Sequence, residues 1–261
     1  MYVETAFMKI TSDNCVAFSV DDNYINYALA LLRGIKQHNI KADIVCRAID
    51  MHDTSQLVEA CPSINIINDS PGLSTSKTIF KKLDDPTEIY WTYNGRVNTT
   101  EGLKNIQNTM YSERAVYSCH SRFKTICELS SEYNTILCLD ADTIVKRNFD
   151  NLFDMKERDL YIVPVRVGED VSIFNNEGLL LINNNQHTRE FFTAVHDGIF
   201  LSNMSTEWDA DTHMLIETYK HQPISIGHLD DTYKDKKHKP ESVMWSGDGP
   251  RKSEPKFKRC L

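Results

Sequence analysis

The sequence predicts an α/β fold, with residues 1–261 forming one domain around a mostly parallel central sheet. Short apolar segments alternate along the chain with segments whose apolar residues recur at helical spacing, which is typical of parallel strands joined by crossover helices. A length of 261 residues is enough for one large domain with a full core. The hydrophobic fraction of 41% and the charged fraction of 25% are those of an ordinary soluble globular protein. No repeat, heptad or linker divides the chain, so one domain is the simplest prediction.

The first third of the chain predicts strand, turn and helix in that order. Residues 15–20 are a short apolar strand, followed at once by the acidic turn Asp21-Asp22-Asn23. The apolar residues from Tyr24 to Ile35 then form a helical stripe, with Asp22 or Asn23 as the expected N-cap. The next predicted elements are a strand at 42–49, a small helix at 54–60 and a strand at 64–67.

Residues 68–115 are rich in Asn, Thr, Ser and Gly and have few periodic apolar positions. This segment is predicted to be an irregular excursion of loops and short helices that carries part of a substrate site. Regular patterns resume after it. They predict a helix at 121–133, a strand at 135–139, a turn at 150–153, strands at 160–167 and 178–183, and helices at 188–200 and 210–219.

Charge is unevenly distributed along the chain. The net charge is −8, yet residues 232–261 hold nine Lys and Arg against four acids, which gives +5 there and −13 elsewhere. An acidic body argues against a broad nucleic-acid groove, whereas the basic segment predicts an anionic ligand close to it. We expect residues 232–261 to close on that ligand; the alternative is a solubilising tail.

No stretch approaches the ~20 apolar residues that a membrane-spanning helix needs, so a chain without signal or anchor is expected. The seven cysteines are odd in number and scattered, and no pair has zinc-site spacing. Several of them lie in apolar runs, where a buried thiol is the plain explanation. Reduced thiols predict a cytoplasmic location. The sequence does not indicate an oligomeric state.

The most informative stretch is Ile136–Val145, in which an apolar strand leads into two carboxylates, Asp140 and Asp142. Alternate residues of an extended segment point the same way, so both carboxylates can face one side. Open α/β sheets bind ligands at the carboxyl ends of their strands. Hard oxygen ligands suit Mg²⁺ or Mn²⁺, and a diphosphate is a common third partner. The alternative is that the two acids only cap a turn.

Residues 136–153, with Leu-Asp-Ala-Asp and a later Leu-Phe turn, resemble the metal-binding segment of GT-A nucleotide-sugar glycosyltransferases. The specific resemblance is to the family of glycogenin and the bacterial lipopolysaccharide galactosyltransferases, glycosyltransferase family 8. Four further segments are similar to segments of that family and occur in the same order across residues 15–252. They are Asp21-Asp22-Asn23-Tyr24, Ser121-Arg122-Phe123-Lys124, the strand Asn176 to Asn183, and Asp209-Ala210-Asp211.

The resemblance implies a single GT-A, Rossmann-like domain that moves a hexose from a nucleotide-diphosphate sugar, expected to be UDP-linked, with retention. It implies catalytic roles for Asp140, Asp142, Arg122 and Asp209. It implies donor binding by Asp21, Asp22, Asn23, Tyr24, Asn176, Asp211, Gly249 and Lys252. The implied cofactor is Mn²⁺ or Mg²⁺, which Asp140 and Asp142 would hold.

Two positions depart from the family pattern. The family's third metal ligand is a histidine in His-x-x-Gly-x-x-Lys, whereas the best match here, Ser246 to Lys252, begins with serine. Asp248 is the candidate for the missing ligand, or the metal relies on the aspartate pair, phosphate and water. Lys252 would still reach the diphosphate. Ala210 replaces the family's glutamine, which leaves the sugar preference open.

Three other functions compete with this prediction. A haloacid dehalogenase-type phosphatase also ends a strand with Asp-x-Asp, but its pair usually closes the first strand and a threonine follows two residues later, where this chain has Ile144. A nucleotidyltransferase normally opens with a glycine-rich basic loop, the opposite of Asp21-Asp22-Asn23. A catalytically inactive nucleotide-sugar-binding module stays open, as does the acceptor: glycan, lipid-linked sugar, protein or nucleic acid.

Overall fold

The computed structural model describes residues 8–79, 88–92, 95–99, 110–167, 169–174, 178–206, 210–247 and 249–261. The helices are α1 (Ile25–Gln37), α2 (Ser55–Ala60), α3 (Glu113–Leu129), α4 (Gln186–Phe200), α5 (Ala210–His221) and α6 (Pro255–Lys258). The first eight strands are β1 (Asn14–Val20), β2 (Asp43–Ile49), β3 (Asn65–Asp69), β4 (Lys77–Ile79), β5 (Glu88–Thr92), β6 (Gly95–Thr99), β7 (Met110–Ser112) and β8 (Thr135–Leu139). The others are β9 (Ile144–Val145), β10 (Leu160–Ile162), β11 (Arg166–Val167), β12 (Asp170–Val171), β13 (Leu179–Asn183), β14 (Ile226–His228) and β15 (Met244–Trp245).

The largest sheet has seven strands in the order β14-β10-β13-β8-β1-β2-β3. Strands β1, β2, β3 and β8 run parallel, as do β10 and β14, and only β13 is antiparallel to its neighbours β8 and β10. The α/β fold with a mostly parallel sheet is therefore confirmed. Because β13 runs the other way, its amino end lies at the same edge as the carboxyl ends of β1 and β8.

Apolar residues of the central strands alternate between two cores, one on each face of the sheet. Val16 and Phe18 of β1 face the core that includes Leu31 of α1, whereas Cys15 and Ala17 face the opposite core. That second core receives α3, α4 and α5 through Phe123, Phe191, Phe192, Leu215 and their neighbours. Helices on both faces account for the almost fully apolar sequence of β1, β2 and β8.

Helix α3 begins eight residues before its predicted start. Ser112 caps it by accepting a hydrogen bond from the backbone N–H of Ala115 at 3.2 Å. The buried face of this helix includes the polar side chains of His120 and Ser121. These polar residues interrupt the apolar stripe, so hydrophobic periodicity alone places the helix too late.

Two other sequence predictions differ from the structure. The strand expected at 160–167 is divided into β10 and β11, because Pro164 lies between them and a proline cannot donate to a strand ladder. Among the described residues of the 68–115 excursion, residues 70–76 are irregular, and the others form strands apart from the start of α3. Strand β4 pairs with β7, and β5 pairs with β6.

None of the helices in the described part of the chain combines the length and the apolar character required to cross a bilayer. All seven cysteines are free thiols.

Arg47 on β2 is a buried cation, with a side chain only 2% exposed. It donates to Asp69 at 3.0 Å and to the hydroxyl of Thr125 at 2.8 Å, and it also contacts Glu128. Replacing Arg47 with methionine should lower the free energy of unfolding by about 2 kcal/mol, because Asp69 loses its guanidinium partner while it keeps Lys124 and Tyr117. Urea unfolding measures this loss. The exposed Arg189→Met on α4 is the control, and it should stay within about 0.5 kcal/mol of the unsubstituted protein.

Candidate active site

The site is built at the edge of the sheet where β1 and β8 end and β13 begins. Asp21 follows β1, Asp140 follows β8, and Gly178 precedes β13. The backbone N–H of Asp140 donates to the carbonyl of Gly178 at 3.1 Å, which fixes the two strand ends to each other. The edge predicted to bind the ligand is thus the edge at which these residues meet.

Asp140 and Asp142 lie on a tight turn and not on an extended strand. Strand β8 ends at Leu139, and the backbone N–H of Thr143 donates to the carbonyl of Asp140 at 3.0 Å. The side chain of Asp140 is 32% exposed and that of Asp142 is 11% exposed. A turn therefore presents the two carboxylates, which corrects the expectation that strand alternation does so.

Each carboxylate is paired with a cation from a distant part of the chain. Arg122 on α3 donates from Nη2 to Asp140 Oδ1 at 3.0 Å and from Nε to the carbonyl of Cys119 at 2.7 Å. Lys252 Nζ lies 2.6 Å from Asp142 Oδ2 and donates to the hydroxyl of Tyr24 at 3.1 Å. The predicted segments that contain Arg122, Lys252 and Tyr24 therefore meet at the aspartate pair.

The charges around the pair set its protonation. Burial by itself would raise the pKa of Asp140, but the cations of Arg122 and Lys234 outweigh it and hold that pKa below its ordinary value. Burial and the charge of Asp140 raise the pKa of Asp142, and Lys252 only partly opposes them. Burial would lower the pKa of Lys252, but Asp142 and Tyr24 raise it, so Lys252 is a permanent cation here.

Asp21 lies in the turn that follows β1 and acts as its cap. Its buried carboxylate accepts hydrogen bonds from the backbone N–H groups of Asn23 at 3.1 Å and Tyr24 at 3.2 Å. The N-cap expected at Asp22 or Asn23 is therefore wrong, because the only residue here with an extended backbone and an inward carboxylate is Asp21. Asp22, Asn23 and Tyr24 are exposed on a turn that Asp21 stabilises.

Asp211, in the first turn of α5, joins the site through α3. Its carboxylate lies 3.6 Å from Nε2 of His120, whose other ring nitrogen is 2.9 Å from the carbonyl of Ser205. Burial would raise the pKa of Asp211, yet the contact with His120 and the charge of Arg122 lower it to about 2. Asp211 is therefore an ionised carboxylate whose charge acts on Arg122, as that of Asp140 does.

Three predicted site residues, Asn176, Asp209 and Asp248, lie outside the described residues. Gly249 is described and begins the short 3-10 helix Gly249–Ser253, which carries Lys252. Ser246 is buried, and its carbonyl accepts a hydrogen bond from Nε2 of His238 at 2.9 Å.

Sequence patterns missed three residues of the site: Lys234, Gly178 and His120. Lys234 ends the short 3-10 helix Asp231–Lys234 and is buried. In the sequence, nothing distinguishes it from the other eight basic residues of 232–261. A Cβ at Gly178 would lie 1.9 Å from Asp140 Oδ2, so the backbone passes directly against that carboxylate. Among these, only Gly178 carried a signal, because a glycine at a strand end is typical of a close backbone approach.

A divalent cation fits the chemistry of the aspartate pair only in part. Asp140 and Asp142 offer hard carboxylate oxygens on one turn, which Mg²⁺ and Mn²⁺ prefer. Within the described ranges, no group of three Asp, Glu, His or Cys side chains could hold a metal ion. A cation here would therefore need oxygens from its ligand or from water to complete its shell.

Comparison with known proteins gives a family match and fold matches. The model of glycosyl transferase family 8 matches residues 15–210. None of the curated protein sequences compared with the chain matches it. The structure of the glycosyltransferase GlyE of Streptococcus pneumoniae TIGR4 is similar, with a TM-score of 0.54 and 16% identity over 91% of this chain and 55% of that chain. This chain thus spans about half the length of GlyE.

Two further structures show the same fold. The galactosyltransferase LgtC, solved with donor and acceptor sugar analogues, gives a TM-score of 0.53 at 13% identity over 90% of this chain and 87% of that chain. The bifunctional glycosyltransferase WbbM gives a TM-score of 0.50 at 14% identity over 95% of this chain and 47% of that chain. The GT-A fold expected from the sequence is confirmed by these likenesses, which at such identities carry the fold alone.

Proposed function

The chain belongs to glycosyl transferase family 8, and from that membership we propose that it transfers a hexose from a nucleoside-diphosphate sugar to an acceptor. The observation that supports this most is the pair Asp140 and Asp142, placed at the ligand-binding edge of the sheet and flanked by the cations of Arg122 and Lys252. Cations around a carboxylate pair suit an anionic diphosphate. The structural relative solved with donor and acceptor sugar analogues adds support.

We assign the nucleoside end of the donor to the turn after β1. Asp22, Asn23 and Tyr24 are exposed there, and Tyr24 contacts Lys252. Ligands of open α/β sheets bind at this end of the first strand. Asp21 holds the turn in shape with its buried carboxylate and contributes to donor binding through that turn.

The leaving diphosphate is the group that the cations would stabilise. Lys252 is a permanent cation on a partly exposed side chain, and Asp142 positions it where it can also donate to phosphate. Arg122 holds Asp140 in one orientation. Mn²⁺ or Mg²⁺ held by Asp140 and Asp142 would neutralise charge on the diphosphate when bound. Positioning and electrostatics are then the main contributions of the protein.

The remaining assignments concern the sugar and the reaction outcome. Asn176, Asp209 and Asp211 are proposed to orient the hexose hydroxyls, Asp248 to serve as a further metal ligand, and Gly249 to let the chain approach the diphosphate. Retention is proposed, with the leaving phosphate taking the acceptor proton. UDP is the proposed nucleotide, and the seven free thiols support a cytoplasmic location.

A catalytically inactive nucleotide-sugar-binding module is the second candidate. The incomplete set of metal ligands among the described residues is the observation that favours it. A panel of nucleotide sugars separates it from a transferase by two readouts, thermal shift for binding and nucleoside-diphosphate release for turnover. Binding with release supports the proposed function, whereas binding without release of any donor supports the module.

Lys252→Ala should weaken binding of the donor about tenfold, because the diphosphate loses a charge-assisted contact. Isothermal titration with the preferred donor measures the dissociation constant. Lys258→Ala removes an exposed lysine of α6 and is the matched control, with an unchanged constant. An equal affinity in the Lys252 variant and the unsubstituted protein would remove Lys252 from the diphosphate site.

A further inference from the structure

Lys234 lies against Asp140 inside the protein. Its residue exposure is 8%, and it ends the 3-10 helix Asp231–Lys234, whose first turn is capped by the side chain of Asp230. A Cβ built on Gly178 would lie 1.9 Å from Asp140 Oδ2 and 2.4 Å from Lys234 Nζ. The ammonium and the carboxylate oxygen therefore both lie over this one glycine, which has no side chain to separate them.

Asp140 therefore has one cation bonded to it, Arg122, and a second cation nearby, Lys234, whose charge acts on it. Arg122 binds Oδ1 at 3.0 Å, and Lys234 lies on the side of Oδ2. The field of Lys234 reaches the second carboxylate as well, since its charge opposes the rise in the pKa of Asp142. A metal ion approaching Asp140 would therefore meet the charges of both Arg122 and Lys234.

The charges next to the aspartate pair support the same inference, without counting Asp21, whose carboxylate caps its own turn. Three carboxylates, Asp140, Asp142 and Asp211, meet three cations, Arg122, Lys234 and Lys252. These residues have no excess negative charge that a divalent cation would have to neutralise before a diphosphate could approach. Lys234 also lines the same small void as Ser246.

We propose that Lys234 is a built-in counter-cation of the aspartate pair, which allows this site to bind a nucleoside diphosphate without a divalent metal. The inference rests on the proposed function, because it concerns the same donor site. In this account Lys234 acts through Asp140 as a positioning residue. Added metal then strengthens nucleotide binding little, and the metal of the proposed function would act mainly when the diphosphate leaves the sugar.

The test measures the dissociation constants of UDP, GDP, ADP and dTDP by isothermal titration, once in EDTA and once in Mn²⁺. For the nucleotide that binds best, the unsubstituted protein should give constants within about threefold of each other. Lys234→Met should weaken binding in EDTA about tenfold or more, and Mn²⁺ should restore it, because the metal replaces the lost charge. Lys234→Arg, which keeps the charge, should bind in EDTA.

Lys237→Met is the matched control, an exposed lysine three residues along the same segment, and it should behave as the unsubstituted protein does. Circular dichroism and thermal unfolding establish that each variant is folded. Binding by the unsubstituted protein only in Mn²⁺, or undiminished binding by Lys234→Met in EDTA, would overturn the inference and leave the proposed function standing. No nucleotide binding under either condition would overturn both.

Discussion

Replacing Asp142 with asparagine is expected to lower turnover of the nucleotide sugar at least about 100-fold. The carboxylate lies at the end of the turn that follows β8, 2.6 Å from Lys252, and asparagine keeps its shape while removing its charge. Lys252 then loses the anion that positions it, and a bound metal loses one of its two described ligands. Initial rates of nucleoside-diphosphate release at saturating donor measure the effect.

The same substitution should leave the fold as stable as before. Burial and the charge of Asp140 raise the pKa of Asp142, so the ionised carboxylate is costly where it lies and a neutral amide removes that cost. Because Lys252 loses its ion-pair partner at the same time, the two effects oppose each other and the melting temperature should change little. Asp154→Asn, on an exposed residue, is the control and should keep full activity. Undiminished turnover by Asp142→Asn would exclude this carboxylate from the reaction.

Gly178→Ala is expected to lower turnover about 100-fold for a different reason, which is steric. The new Cβ would lie 1.9 Å from Asp140 Oδ2 and 2.4 Å from Lys234 Nζ, distances at which both side chains must move. Displacing a catalytic group by about 1 Å can cost on the order of 100-fold in rate. Circular dichroism should show an unchanged fold, because the displaced atoms are the ends of side chains.

Gly198→Ala on α4 is the matched control. Its Cβ would lie 2.1 Å from the terminal methyl group of Met214, so the same substitution meets a similar clash with the flexible side chain of a residue that has no role in the site. Turnover should be unchanged there. If Gly178→Ala were as active as this control, the close packing of Asp140 and Lys234 over the glycine would have no part in the reaction.

The fold could be predicted from the sequence because its central strands are apolar on both faces. Strands β1, β2 and β8 are buried between two layers of helices, and their boundaries agree with the prediction within one residue. Prediction failed at the start of α3, because this helix buries polar side chains next to the site. It also failed at the short edge strand β14, which has no apolar pattern.

The site could be predicted in its residue types but not in its geometry. Asp140 and Asp142 can be predicted from the sequence because they follow a buried strand. The turn that presents them depends on long-range contacts, such as that between Asp140 and Gly178. Lys234 had no local signal at all. Its burial arises from tertiary contacts. These bring Gly178 and Lys234, which are 56 positions apart, next to the carboxylate of Asp140, and sequence spacing does not encode such a contact.

Nucleoside-diphosphate release from a panel of nucleotide sugars tests the central claim most directly. The assay is run with the unsubstituted protein and Asp142→Asn, each in EDTA and in Mn²⁺, beside a titration of the corresponding nucleoside diphosphate. A glycosyltransferase is expected to release the nucleotide from at least one donor, and Asp142→Asn should lose that activity. Nucleotide binding without release from any donor in either condition would contradict the account and identify the chain as a binding module.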